Sequence, residues 1–179
     1  MSMEVHQAAK FSNNHKNSYD TAAKRTCKRL LNTSNDGLMC KPDASKGLEA
    51  FVDADFAGCF DDNVAEDPAS VHSRTGFIIK HGGCPVTWKS KLQSEIALST
   101  TEAECIALST ALRDTMSIMQ LLRELGVVMN IPDYKKTMKC AVFEDNNGAL
   151  ELVTAPKMRL RTKHVAIKYH HFRNFLQDY

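Results

Sequence analysis

Three short segments of the sequence place carboxylates where a metal ion could be held. Segment 96–110 (IALSTTEAECIALST) begins a predicted helix and carries Glu104 early on it. Asp53 and Asp55 lie near the end of a predicted strand, and Asp145 comes two residues after the end of another apolar run at 140–143. Acids without paired Cys or His ligands favour Mg²⁺ or Mn²⁺ over zinc. Two such ions about 4 Å apart can activate water and stabilise a leaving oxygen, which is the chemistry of phosphodiester cleavage.

The two glutamates at the start of this helix have different expected roles. Ser99 and Glu102 have the S-x-x-E spacing of a capping box, which accounts for Glu102 structurally. Residues two apart on a helix point in different directions, so Glu102 and Glu104 should not both reach one metal. Glu104 is therefore the candidate ligand, and the alternative is a solvated acid on the helix surface.

The other acids also have alternative interpretations. Asp53 and Asp55 alternate with apolar residues, so both should lie on one strand face. They could be ligands, or they could be the wet polar face of an edge strand. Asp145 could be a ligand, or the N-cap of a helix that begins at Asn146, and the two roles are compatible.

Basic residues lie near these motifs in the sequence, two of them on the predicted hairpin and five after Asp145. Phosphate contacts are one interpretation and a solvated basic face is the other, since the net charge of only +2 gives no strong preference for nucleic acid. The candidates are Lys89, Lys91, Lys157, Arg159, Arg161, Lys163 and His164. For Trp88, the single tryptophan, core packing is predicted rather than base stacking.

The elements that must position these residues follow from periodicity and turn signals. We expect strands at 48–56, 75–80, 86–91 and 138–143, a helix over about 100–125 ended by Gly126, and helices at 146–154 and 162–177. The second and third strands form a hairpin around 81–83. Upstream, 18–31 is predicted to be a basic helix and 41–47 a linker, which divides the chain into 1–47 and 48–179.

Bulk composition narrows the class of protein. The chain has 179 residues, 43% hydrophobic and 25% charged, which suits one globular α/β domain with an appendage. The six cysteines lack any CxxC pair, so we expect reduced thiols in an intracellular protein rather than a zinc site or secreted disulfide scaffold. Neither a membrane span nor a signal peptide is expected, because no apolar run is long enough and the N-terminus is polar.

Six motifs occur in a fixed order along residues 48–179. They are VDADFAG (52–58), SRTG (73–76), VTWKSK (86–91), LSTTEAE (98–104), EDN (144–146) and RTKH (161–164). Each is weak alone, but together they closely resemble the RNase H domain of copia-type LTR retrotransposon Pol polyproteins. Residues 1–47, with VHQ at 5–7 and RLL at 29–31, resemble the tail of the preceding reverse transcriptase and connection region.

The resemblance implies a fold, an activity and partners. It implies an RNase H-like fold with a mixed five-stranded sheet and flanking helices. It implies cleavage of the RNA strand of RNA–DNA hybrids with two Mg²⁺ ions, for which Mn²⁺ can substitute. The family carboxylates fall on Asp53, Glu104 and Asp145, with Asp55 as runner-up for the first. Partners would be the hybrid, recognised by its phosphates and 2′-hydroxyls, and the reverse transcriptase part of the same polyprotein. The expected location is the cytoplasmic retrotransposon particle and the nucleus.

The sequence departs from the family after the helix that contains 170–173 (HHFR). Family members continue with a last strand and a T-x-x-Q-x-A-D helix, whose Asp is a fourth carboxylate; neither occurs in the 179 residues. Cys105 also stands where the family usually has Tyr. We therefore expect a domain without its last strand and helix, with weak or no cleavage by this chain alone. The alternative is a non-catalytic remnant that binds nucleic acid.

Overall fold

The described elements come in the predicted order up to residue 154. The computed structural model describes residues 17–43, 45–58, 60, 68–131 and 139–154, together with residues 5 and 9. The elements are α1 (Asn17–Asn32), β1 (Leu48–Asp55), a 3-10 helix (Pro68–Val71), β2 (Arg74–His81), β3 (Cys84–Leu92), α2 (Thr100–Val128), β4 (Cys140–Phe143) and α3 (Asn147–Thr154). The predicted helix at 162–177 lies outside the described residues. No described helix is long and apolar enough to cross a membrane.

The chain divides into two compact units, residues 1–40 and 41–179. The first contains α1, where Lys24 donates to Asp20 one turn earlier at 2.6 Å. Both side chains are exposed, so the pair adds only a few tenths of a kcal/mol to helix stability. The predicted functional division after residue 47 stays a prediction.

The second unit is built on a mixed four-stranded sheet in the order β3-β2-β1-β4. β1 is antiparallel to β2 and parallel to β4, and β2 is antiparallel to β3. The β2–β3 turn is Gly82-Gly83, with φ angles of 59° and 79°. Two consecutive positive φ angles suit the right-handed twist of a tight hairpin, and glycine adopts them without steric cost. The predicted α/β fold with a mixed sheet and flanking helices is confirmed.

Alternation along β1 sets which face of the sheet carries the core. Leu48, Ala50 and Val52 are buried, and they pack in one cluster with Phe77 and Ile79 of β2. α2 closes that cluster with residues at helical spacing, namely Ala107, Leu108, Ala111 and Leu112. Burial of this apolar stripe therefore fixes α2 across β1 and β2.

The opposite face of the sheet is more exposed. Trp88 pairs with Ile78 on that face and is 64% exposed, so the prediction that it packs in the core is wrong. β3 is an edge strand, and its alternation turns Trp88 away from α2. On the same face, the rings of Phe51 and Phe143 stack with centroids 4.6 Å apart.

The end of α2 also differs from its prediction. The helix runs through Gly126 to Val128 rather than stopping near Leu125. Ile131 N–H donates to Gly126 O at 3.0 Å and Asn130 N–H to Val127 O at 3.2 Å, which is the Schellman pattern of a helix end. Asn130, with φ of 52°, supplies the left-handed residue that the sequence suggested for Gly126.

Candidate metal centre

Three predicted acids meet at one edge of the sheet. Asp53, Glu104 and Asp145 each offer a carboxylate oxygen, and these oxygens all lie within 4.8 Å of one another. The register explains the meeting of the two aspartates: Phe51 pairs with Phe143 in the parallel β1–β4 ladder, and each aspartate follows two residues later. Carboxyl ends of neighbouring parallel strands lie at the same edge of a sheet. The packing of α2 across β1 adds Glu104 from its first turns.

The cap of α2 separates the two glutamates as predicted. Glu102 N–H donates to Ser99 Oγ at 3.1 Å, and Glu102 Oε2 accepts from Leu98 N–H at 2.8 Å. The glutamate thus reaches back one residue further than in the usual capping box, where it bonds the N-cap residue itself. This role turns Glu102 away from the cluster and leaves Glu104 as its helical member.

Glu104 is buried, which excludes the alternative of a solvated surface acid. Its side chain is 7% exposed, and its Oε2 has no hydrogen-bond partner among the described residues. Burial, then the nearby charges of Glu144, Asp53 and Asp145, raise the pKa of Glu104 to about 7, while a hydrogen bond from Ala54 N–H opposes the rise. A buried unpaired carboxylate is costly, so this oxygen suits a cation.

Asp145 is not the helix cap that the sequence allowed. Asn146 takes that role, because its Oδ1 accepts from Ala149 N–H and its carbonyl from Leu150 N–H, both at 3.0 Å. Thr101 Oγ1 also donates to Asn146 Oδ1, at 3.5 Å, which links the start of α2 to the start of α3. Asp145 itself is exposed and belongs to the acid cluster.

Asp55, the runner-up for the first position, lies outside the cluster. Its carboxylate is turned towards Gly58, where an added Cβ would overlap both carboxylate oxygens. A side chain at position 58 would therefore require the Asp55 carboxylate to move. Of the two acids on β1, Asp53 is therefore the one that geometry joins to Glu104 and Asp145.

Comparison with known proteins supports the resemblance found in the sequence. The chain is 35% identical over 157 residues to the retrovirus-related Pol polyprotein from transposon RE1 of Arabidopsis thaliana, which covers 88% of this chain. It is 31% identical over 150 residues, 84% of this chain, to the corresponding polyprotein from transposon TNT 1-94 of Nicotiana tabacum. The chain is a homologue of retrovirus-related Pol polyproteins from transposons. It spans only 10% of the length of each of these relatives.

A shorter part of the chain is also similar to a protein that is not named as a Pol polyprotein. Over 96 residues it is 38% identical to secreted RxLR effector protein 161 of Plasmopara viticola, covering 53% of this chain and 61% of that protein. No family model matches the chain. No solved structure matches it either.

Sequence reasoning missed the part played by Glu144 in this Pol homologue. Its Oε1 accepts from Asn146 N–H at 3.1 Å, and its Oε2 is buried without a partner in the described part of the chain. Burial raises the pKa of Glu144, and the charges of Asp145 and Asp53 add to the rise. The EDN motif contains two acids, Glu144 and Asp145, but only Asp145 was predicted to be a ligand.

Of the candidate phosphate-binding residues, Lys89 and Lys91 are the two that lie among the described residues. Lys89 Nζ donates to Asp114 at 2.9 Å and lies 5.5 Å from the centroid of the Phe77 ring. Lys91 is exposed on β3, opposite Thr75. The other five members of the predicted set lie outside the described residues: Lys157, Arg159, Arg161, Lys163 and His164.

Proposed function

We propose that this protein is the RNase H domain of a retrotransposon Pol polyprotein, which hydrolyses the RNA strand of RNA–DNA hybrids with two Mg²⁺ ions. The observation that carries the proposal is the meeting of Asp53, Glu104 and Asp145 from three separate elements. Homology to Pol polyproteins supports it independently of the geometry. Mn²⁺ is expected to substitute for Mg²⁺, since both are hard ions that bind oxygen ligands.

The donor set suits such an ion. All three groups are carboxylates. Oε2 of buried Glu104 has no hydrogen-bond donor among the described residues, so it is available as a ligand atom. Bound ions would activate a water molecule and stabilise the leaving oxygen of the scissile phosphodiester. Asp53 and Asp145 are exposed and so accessible to a substrate, and Ala54 N–H donates a hydrogen bond to the buried Glu104 carboxylate.

Partners in this proposal are the hybrid and the reverse transcriptase part of a polyprotein. Location in a cytoplasmic particle and the nucleus stays a prediction.

A cleavage assay with a matched pair of variants tests the proposal. The purified chain is incubated with a hybrid labelled on its RNA strand, in Mg²⁺ or Mn²⁺. We expect RNA cleavage that Asp53→Asn lowers at least about 100-fold and Asp55→Asn leaves within about threefold, because one ligand supplies transition-state stabilisation of several kcal/mol.

Two outcomes would contradict the proposal. If the wild-type chain neither binds Mn²⁺ nor cleaves the hybrid, the proposed metal-dependent activity is wrong. Salt-sensitive binding of the hybrid without turnover would instead support the alternative of a non-catalytic nucleic-acid-binding remnant. In that case charge reversal at Lys91 should weaken binding, since Lys91 is exposed on β3.

A further inference from the structure

Glu144 occupies the turn between β4 and α3, directly before a residue of the acid cluster. It lies outside the three-residue group whose oxygens are all within 4.8 Å of one another. Its Oε1 nevertheless accepts from Asn146 N–H at 3.1 Å, across the residue Asp145. This hydrogen bond closes the two-residue turn on which the Asp145 side chain is carried, so Glu144 helps to determine where that carboxylate points.

The second oxygen of Glu144 has no comparable partner. Oε2 is buried, and no donor reaches it among the described residues, the same condition as Oε2 of Glu104. Of the neighbouring charges that raise the pKa of Glu104, that of Glu144 has the largest effect, and it also raises the pKa of Cys105, the next residue of α2. The Glu144 carboxylate is therefore close enough to Glu104 for the two charges to repel each other.

We propose that Glu144 is a positioning residue of the metal centre, which fixes the turn that presents Asp145 and adds negative charge beside Glu104. The inference rests on the proposed metal-dependent function. Its physical basis is that ligands of metal ions are oriented by neighbouring hydrogen-bonded groups, whose loss typically weakens metal binding about 10- to 100-fold. A cation at the cluster would also relieve the repulsion among the four carboxylates.

Two substitutions separate the two parts of this role. Glu144→Gln removes the charge but keeps an amide oxygen that can accept from Asn146 N–H. Glu144→Ala removes both the charge and the acceptor. Glu151→Gln is the matched control, because Glu151 is an exposed acid on α3 and the substitution changes net charge equally.

The measurement is Mn²⁺ affinity by calorimetric titration of the full chain, together with the melting temperature without metal. We expect Glu144→Gln to bind Mn²⁺ about tenfold more weakly and Glu144→Ala more weakly still, with the control unchanged. Without metal, Glu144→Gln should melt above the wild type, since a repulsive buried charge has been removed. A group needed only for packing would not raise the metal-free melting temperature while weakening metal binding.

The outcomes distinguish this inference from the proposed function. If the wild-type chain binds Mn²⁺ and Asp53→Asn loses it, the metal site stands. Equal affinities for Glu144→Gln and Glu151→Gln would then overturn the role of Glu144 alone. If the wild type and Asp53→Asn both fail to bind Mn²⁺, the proposed function itself fails.

Discussion

Glu102 and Glu104 are two residues apart in the first turns of α2, yet their surroundings have little in common. Glu102 accepts from Leu98 N–H as part of the helix cap. Glu104 is 7% exposed, with an oxygen that has no donor in the described part of the chain. The difference arises because a helix turns about 100° per residue, so one side chain reaches back over the helix start and the other faces the sheet.

The buried state of Glu104 predicts how the metal-free protein responds to pH. The pKa of Glu104 is raised from 4.5 to about 7 in the folded protein. The folded state therefore holds a proton that the unfolded chain releases, and stability falls as pH rises through this window. Urea unfolding in EDTA should show this fall between pH 4.5 and about 7.

A variant assigns the effect to this residue. Glu104→Gln cannot release a proton, so its stability should fall less over the same pH range. Glu144 contributes in the same direction, because its pKa is also raised, and part of the slope should remain. An unchanged slope in Glu104→Gln would show that Glu104 is solvated in the folded protein.

At the scale of elements, α2 is the part that joins the core to the site. Its apolar stripe fixes the helix over β1 and β2, and its N-terminal cap fixes where the helix begins. The contact of Thr101 with Asn146 joins this start to the start of α3. Because Glu104 lies five residues after the cap residue Ser99, a displaced helix start would move its carboxylate away from Asp53.

Loss of the cap should therefore destabilise the protein measurably. Ser99→Ala removes the acceptor for Glu102 N–H and is expected to lower the free energy of unfolding by about 1 kcal/mol. This corresponds to a fall in melting temperature of about 2–4 °C for a chain of this size.

Ser117→Ala is the control for the cap. Its hydroxyl donates only to Arg113 O within the exposed middle of α2, at 3.2 Å. Alanine is favourable in a helix interior, so the melting temperature should stay the same or rise slightly. Equal losses for the two variants would contradict the assignment of Ser99 as the cap.

For the whole molecule, the core belongs to one of the two compact units. The main hydrophobic cluster lies entirely in the unit 41–179, and its buried members run from Leu48 to Ala149 in sequence. The three acids of the cluster lie there too. Residues 1–40 form their own unit, and none of the residues described in it belongs to the three-acid cluster.

Deletion of residues 1–40 should consequently leave the metal centre intact. We expect chain 41–179 to unfold cooperatively and to bind Mn²⁺ within about threefold of the full chain, because its core and ligands are retained. Thermal unfolding followed by circular dichroism checks the cooperativity, and Mn²⁺ titration checks the affinity. Loss of cooperative unfolding would show that the first unit is needed for the second to fold.

Elements of this protein were predictable from the sequence because they depend on local spacing. The hairpin at Gly82-Gly83, the cap at Ser99 and the alternation of β1 each involve residues a few positions apart. The predicted end of α2 was wrong because glycine is only a local signal for a helix end. Gly126 is buried within the packed helix, and Asn130 adopts the left-handed conformation after the helix end instead.

The sequence by itself determined the set of candidate acids and the elements that carry them. Only the tertiary structure decided which carboxylates meet. Asp53 and Asp55 share a strand face, so alternation could not separate them; in the structure the Asp55 carboxylate lies close to Gly58 and outside the cluster. Glu144 received no role from the sequence, and Trp88 was wrongly predicted to pack in the core, because burial of one side chain depends on strand register and on helix packing between residues distant in sequence.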